Sequence, residues 1–326
     1  MKRKDSLSRK AMKLLCTFLG IILIFMLGTT LVFRDYLDQI NFTPSRQAEP
    51  AGILEVFSRL SFSGSDDRRI GGPNSGLVNI LLIGQDAREG ETQAQARSDS
   101  MILCTYNKNS RQMTMTSFLR DLYVPIPGHG SNRINAAYNY GGATLLKKTI
   151  DQNFNIAIDG CVEVDFSHFS DIIDSMGGVE IELRQDEAQV INRQTGSSLT
   201  EGIQLLDGFQ ALTYSRIRSL DLDGDFSRTN RQRKVINALA DSLRDSSIKE
   251  LTPLISKILP MITTDLNRGQ LLLYAVEILP NLSRMDILSQ SIPAEGTFTD
   301  QTIDGMAVLE ADMEAQRRHL RETLLK

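Results

Sequence analysis

The 326-residue chain has no tryptophan, three histidines and three cysteines. His129, His168 and His319 are scattered without ligand spacing, so each reads as a surface residue rather than a catalyst. The chain has no P-loop pattern, and no GxGxxG opens a helix, which removes the usual nucleotide-binding classes. It also lacks a GxSxG elbow and an HExxH pair, the marks of serine hydrolases and zinc proteases. No internal repeat or long low-complexity tract points to a solenoid. Only Cys104 and Cys161 lie outside the first apolar run, too few for a disulfide framework. Both sit in strand-like apolar runs. A disulfide between them is compatible with the sequence, and two buried thiols are the expectation.

Acidic residues outnumber basic ones outside the N-terminus. Residues 1–13 hold Lys2, Arg3, Lys4, Arg9, Lys10 and Lys13 against Asp5, a local charge of +5. The whole chain carries −4, so the rest carries −9. That balance argues against a nucleic-acid partner.

What the chain does have begins at residue 14. Residues 14–33 contain no charged side chain. Twenty residues of helix span roughly 30 Å, the thickness of a bilayer core. The run is longer than the ~7–15 residues of a signal-peptide core, and no A-x-A-like site follows. We therefore expect an uncleaved single-pass anchor in the cell membrane. The basic flank 1–13 would be cytoplasmic and the C-terminal side extracellular. Residues 34–76 are rich in Ser, Gly, Pro and charge and read as a stalk or linker. The remaining 77–326 read as one folded domain.

Residues 77–83 (LVNILLI) form a nearly continuous apolar run, which predicts a buried strand ending at Gly84. Residues 100–106 and 112–117 predict two more strands, joined as a hairpin by Asn107-Lys108-Asn109-Ser110. Further strands are expected at 122–126, 156–165, 179–183 and 285–292. Helices are expected at 142–154, 166–175, 207–217, 229–243, 251–259 and 268–279, with a terminal helix from about 309. The alternation predicts an α/β domain with a mixed central sheet flanked by helices. Helices at 251–259 and 271–279 are rich in Leu and Ile. They could line a long apolar groove or serve as plain core.

Charge gathers at strand ends. Gly84-Gln85-Asp86-Ala87-Arg88 follows the first buried strand, Arg97-Ser98-Asp99 opens the next, and Leu119-Arg120-Asp121 follows the hairpin. Ligand sites in α/β sheets favour such ends, although charged residues also simply cap strands. Residues 216–234 add Arg216, Arg218, Arg228, Arg231, Arg233 and Lys234 against Asp221, Asp223 and Asp225. Arg228 and Gln232 are one helical turn apart and share a face. Arg216 and Arg218 face one way only if their helix has unwound. Guanidinium forks suit phosphate oxygens. Two carboxylates, Asp86 and Asp99, suit Mg²⁺ completed by substrate phosphates.

These stretches resemble the LytR-CpsA-Psr family of bacterial cell-wall enzymes. The matching segments are NILLIGQDAR (79–88), ARSDSMIL (96–103), RINAAYNYGG (133–142), VDFSHF (164–169), GGVEIEL (177–183), LDGFQALTYSRIR (206–218) and DFSRTNRQ (225–232). The likeness covers about 77–243 and weakens beyond. It implies transfer of an anionic glycopolymer from a polyprenyl-pyrophosphate carrier to the 6-hydroxyl of N-acetylmuramic acid in peptidoglycan. It also implies Asp86 and Asp99 as Mg²⁺ ligands. Arg97, Arg120, Arg216, Arg218, Arg228 and Gln232 would bind the pyrophosphate, with Asp99, Arg120, Arg216 and Arg218 closest to the chemistry. Asp225 and Arg88 fall in family motifs without an assigned role. Two departures stand out: no Pro precedes the Arg120-Asp121 pair, and Arg133-Ile134-Asn135 replaces the family's Lys-Ile-Asn. Two rivals stay open, a polyprenyl-pyrophosphate phosphatase using the same site and an envelope-associated transcriptional regulator.

Overall fold

The computed structural model describes residues 38–43, 69–72, 75–86, 97–220, 225–244, 248–278, 281 and 285–325. The basic segment 1–13, the apolar run 14–33 and Arg88 lie outside the described residues. Among the described residues no helix is long and apolar enough to cross a membrane.

The sheet at the centre has seven strands among the described residues, in the order β1-β10-β7-β2-β3-β4-β11. They are β1 (Asn41–Phe42), β2 (Leu77–Asp86), β3 (Arg97–Asn107), β4 (Gln112–Phe118), β7 (Gly160–Asp165), β10 (Thr263–Thr264) and β11 (Asp286–Ile292). β2 pairs antiparallel with β3 and parallel with β7, so the sheet is mixed, as the hairpin predicts. Residue 111 closes that hairpin at φ 58°.

β2 is apolar from Leu77 to Ile83 except at Asn79, because both its faces are covered. Leu81 and Ile83 enter one core with Met101, Leu103 and Phe118. Helices α1 (Ala136–Phe154) and α8 (Met313–Leu324) close that face through Leu146, Ile150, Leu320 and Leu324. Leu146 is fully buried, and cutting it to Ala would cost about 2–5 kcal/mol. On the other face, Val78 packs with Tyr106 and Met285, joined by Tyr274 and Ile278 of α7 (Arg268–Ile278). A third core forms around α2 (Phe166–Ser175), α4 (Gly208–Ser215) and α5 (Asp225–Arg244), through Ile173, Ala211, Tyr214 and Val235.

Several elements differ from the sequence reading. β8 (Val179–Leu183) does not enter the main sheet; it pairs with β9 (Gly202–Leu206), an unexpected strand. Between them lies α3 (Gln185–Thr195), also unexpected. β5 (Tyr123–Ile126) forms a hairpin with β6 (Gly130–Arg133). Helix α6 (Ile248–Ile258) starts a little earlier than its apolar pattern. The terminal helix begins at Met313, because 298–311 folds as the hairpin β12 (Phe298–Ile303) and β13 (Met306–Ala311). Its turn is Asp304-Gly305, both at positive φ, a strong hairpin signal in the sequence itself.

Part of the stretch read as a stalk is folded. β1 pairs parallel with β10, and Ile70 bridges Ile156. Backbone hydrogen bonding there outweighs a polar local composition. Asn41–Lys326 forms one compact unit. Cys104 and Cys161 stand on the two strands flanking β2 and are both free thiols; Cys161 is buried as expected, whereas Cys104 is only partly buried.

Candidate functional site

The site starts from a break in the β2–β3 ladder. Gly84 pairs with Ser100, but the next residue, Gln85, pairs with Ser98. Asp99 is thus left without a ladder partner. A bulge of this kind re-aims the side chain of the extra residue. The strands also approach closely here: a Cβ on Gly84 would lie 3.0 Å from Ser100 Cβ, so a larger residue would push the strands a few tenths of an ångström apart. One rung further, Asp86 and Arg97 stand opposite each other; of these two residues the backbone alone is described.

Asp99 is ringed by arginines. Arg120 follows β4, where Leu119 N donates to Ile292 O and holds the chain at the sheet end. Arg120 Nη1 lies 3.3 Å from Asp99 Oδ1, and Arg218 Nη2 lies 3.2 Å from Asp99 Oδ2. Arg120 Nε is 3.4 Å from Asp121 and 3.5 Å from Asp225. Burial works against its charge, but Asp225, Asp121 and Asp99 outweigh it and hold the guanidinium above its ordinary value. Asp121 is shared with Arg133, 3.3 Å away.

α4 ends at Ser215, and the unwound segment after it presents both Arg216 and Arg218. Arg216 is exposed and lies 4.5 Å over the ring of Phe166, the first residue of α2. Arg218 is more than half exposed.

α5 opens with Asp225, where an acid complements the helix dipole. Arg228, one turn on, is 2% exposed, and its Nη2 lies 2.5 Å from Asp225 Oδ1. Arg228 Nε and Nη1 are buried and make no hydrogen bond. Burial pushes this guanidinium down, with Asp225 opposing. Burial likewise pushes the Asp225 carboxyl up, against Arg228 and Arg120. Buried cationic donors without partners are costly, and an anion is what relieves them.

An apolar cavity of about 220 Å³ adjoins this cluster. Its walls include Ile102, Val162, Phe169, Ile172, Leu212 and Leu239, and its few polar lining residues include Ser100, Ser215 and Gln232. Ser215 immediately precedes Arg216, and Gln232 is one turn beyond Arg228. The cavity therefore runs from the arginines inward between β2, β3, β7 and helices α2, α4 and α5. Its walls are not the helices at 251–259 and 271–279: Tyr274 and Ile278 fill an ordinary core instead. The contribution of α2 escaped the sequence reading. The signal was there, in Phe166, Phe169 and Ile172 spaced along one helical face.

The structure thus brings together Asp99, Arg120, Arg216, Arg218, Arg228 and Gln232, with Asp225 and Asp121 between the guanidiniums. Among the described residues no group of three or more His, Cys, Asp or Glu forms a metal cage. Asp99, at the bulge, is the described carboxylate at this strand end, and its two oxygens face Arg120 and Arg218.

The profile of the LytR_cpsA_psr family matches residues 57–323. The polyisoprenyl-teichoic acid–peptidoglycan teichoic acid transferase TagT of Bacillus subtilis (strain 168) is 38% identical over 180 residues, covering 54% of this chain and 55% of that protein. The regulatory protein MsrR of Staphylococcus aureus (strain COL) is 38% identical over 168 residues, covering 51% and 49%. The chain thus spans about half the length of these curated relatives. A solved structure of the LytR-CPS2A-psr family protein YwtF (TagT) with bound octaprenyl pyrophosphate lipid superimposes with a TM-score of 0.59 and 26% identity, covering 79% of this chain and 94% of that one. The family match spans most of the sequence, and the chain belongs to the LytR_cpsA_psr family.

Proposed function

We propose that this protein is a phosphotransferase that moves an anionic glycopolymer from a polyprenyl-pyrophosphate carrier to peptidoglycan. The observation that carries this reading is Arg228: a buried guanidinium with two unpartnered donors, sharing Asp225 with Arg120 and one helical turn from Gln232, which lines an apolar cavity. One end of such a site suits a pyrophosphate and the other an isoprenoid. Teichoic acid transfer is in the name of the B. subtilis relative, and a prenyl pyrophosphate is bound in the YwtF (TagT) structure.

In this mechanism Arg120, Arg216, Arg218 and Arg228 bind the pyrophosphate oxygens, Arg216 from its place on Phe166. The 6-hydroxyl of an N-acetylmuramic acid attacks the phosphorus nearest the glycan. A new P–O bond forms as the bond to the polyprenyl phosphate breaks, and the hydroxyl proton is released. The arginines stabilise the charge that builds on the phosphoryl oxygens and on the leaving phosphate. Mg²⁺, held by Asp86 and Asp99, would supply further charge neutralisation. The apolar run 14–33 would anchor the protein in the cell membrane with residues 1–13 in the cytoplasm, which keeps the site near a membrane-bound carrier. The reading covers capsule polysaccharide as well as teichoic acid as the transferred glycopolymer.

The test follows labelled glycan from a lipid-linked donor. Label on peptidoglycan is the expected result. Free phospho-glycan alone would instead identify a phosphatase, and no release of either product would leave regulation, the role in the name of the staphylococcal relative, as the better reading.

A further inference from the structure

Arg231 belongs to the basic cluster but has no place among the anion-binding groups. Its guanidinium is buried and turned to α3 and the segment after α4. Arg231 and Glu187, on α3, have side chains 3% and 2% exposed, and Arg231 Nε donates to Glu187 Oε1 at 2.8 Å. Arg231 Nη1 donates to the carbonyl of Ile217 at 3.0 Å. Ile217 is the residue between Arg216 and Arg218. Glu187 is itself held from its other oxygen, which accepts the backbone N–H of Arg184 at 3.1 Å.

The segment after α4 therefore has an anchor at its centre. The two flanking arginines are exposed and sit on a stretch with no helix of its own, so their aim depends on where Ile217 is pinned. A buried ion pair adds little net stability over an apolar pair of the same size. Its distinctive contribution here is geometric.

We propose that Arg231 and Glu187 are positioning residues, which fix the backbone between Arg216 and Arg218 and so aim both guanidiniums at the pyrophosphate. Neither residue touches the anion. The inference rests on the pyrophosphate reading of the site.

The test measures binding of geranyl pyrophosphate, with Mg²⁺, to the full-length chain in detergent. Wild type is compared with Arg231→Met/Glu187→Gln, which removes both charges together and keeps an acceptor for Arg184. The expected result is a melting temperature close to wild type and affinity at least about tenfold weaker, since small misplacements of binding groups are costly. In an Arg218→Ala background the same pair should add clearly less than that tenfold, because it acts in part through Arg218. Unchanged affinity at retained melting temperature overturns the proposal, and so does a full multiplicative loss in the Arg218→Ala background. If the double variant does not fold, Glu187→Gln alone carries the same comparison. Failure of the wild type to bind the probe overturns the pyrophosphate reading itself, and the proposal with it.

Discussion

Arg228 Nη2 lies 2.5 Å from Asp225 Oδ1, and this one contact leaves two other buried donors of the same guanidinium without partners. The pair orients the arginine while leaving most of its fork available. We predict that Arg228→Lys lowers glycan transfer by roughly 10²–10³-fold, because an ammonium keeps the charge but loses the fork. Lysine also spares Asp225 from being buried alone, so folding is preserved. A melting curve beside the transfer assay checks this; full transfer activity in a folded variant would remove Arg228 from the site.

The cavity gives a second prediction. Ile236 lines it, on the same helix as Gln232. Ile236→Phe should fill part of the space at a stability cost of about 1–3 kcal/mol. Affinity for a prenyl pyrophosphate should fall, while affinity for inorganic pyrophosphate stays unchanged. Calorimetric titration with both ligands separates these; equal losses would mean that the cavity does not hold the prenyl group.

Metal dependence is the third. Chelation by EDTA should abolish transfer and added Mg²⁺ should restore it. Asp86→Asn should raise the Mg²⁺ concentration for half-maximal rate by at least about tenfold. An EDTA-resistant enzyme would show that the arginines act alone.

A fourth concerns pH. Glu163 is buried on β7, and its Oε2 accepts from Tyr138 Oη at 2.6 Å and from Gln85 Nε2 at 2.8 Å. Burial pushes its carboxyl above the usual range, the two hydrogen bonds opposing. The folded state thus holds this proton to higher pH than the unfolded chain. The stability this brings is complete below the unfolded value and is lost as pH rises through the folded one. Glu163→Gln should therefore melt higher than wild type at about pH 8, and the gap should shrink towards about pH 4. A gap that does not vary with pH would contradict this.

Thiol chemistry offers a fifth. Burial pushes both Cys104 and Cys161 up to about 12. In a Cys16→Ser background, DTNB should titrate neither thiol in the folded protein at about pH 8, and both after denaturation. Rapid native labelling would show that one strand flanking β2 opens.

Much of the sheet is legible in the sequence because its strands report their own burial. Residues 77–83 are apolar at all positions but Asn79, as suits a strand covered on both sides, and the Asn107–Ser110 tetrapeptide announces its turn. The arginines are legible as a set because each sits at the end of an element. The bulge at Asp99 is not legible: nothing in Arg-Ser-Asp-Ser tells which residue drops out of the ladder. α3 is missed because its only buried apolar side chains are Ala188, Val190 and Ile191 in a polar segment. β12 is missed because its middle residues are exposed on both faces, so no alternation survives. Which helices wall the cavity is left open for a different reason. Composition marks a helix as apolar, but which apolar face stays unfilled depends on how three helices meet.

The cavity described above also sets what the protein can measure. An apolar hole of about 150 Å³ holds a benzene ring. One of about 220 Å³, among the described residues, has room for the first isoprene units of a carrier. On the proposed reading, the remaining tail stays dissolved in the bilayer and is never inspected. The protein would then be indifferent to carrier length beyond that point, and short, water-soluble prenyl pyrophosphate donors would serve it as well as the natural lipid.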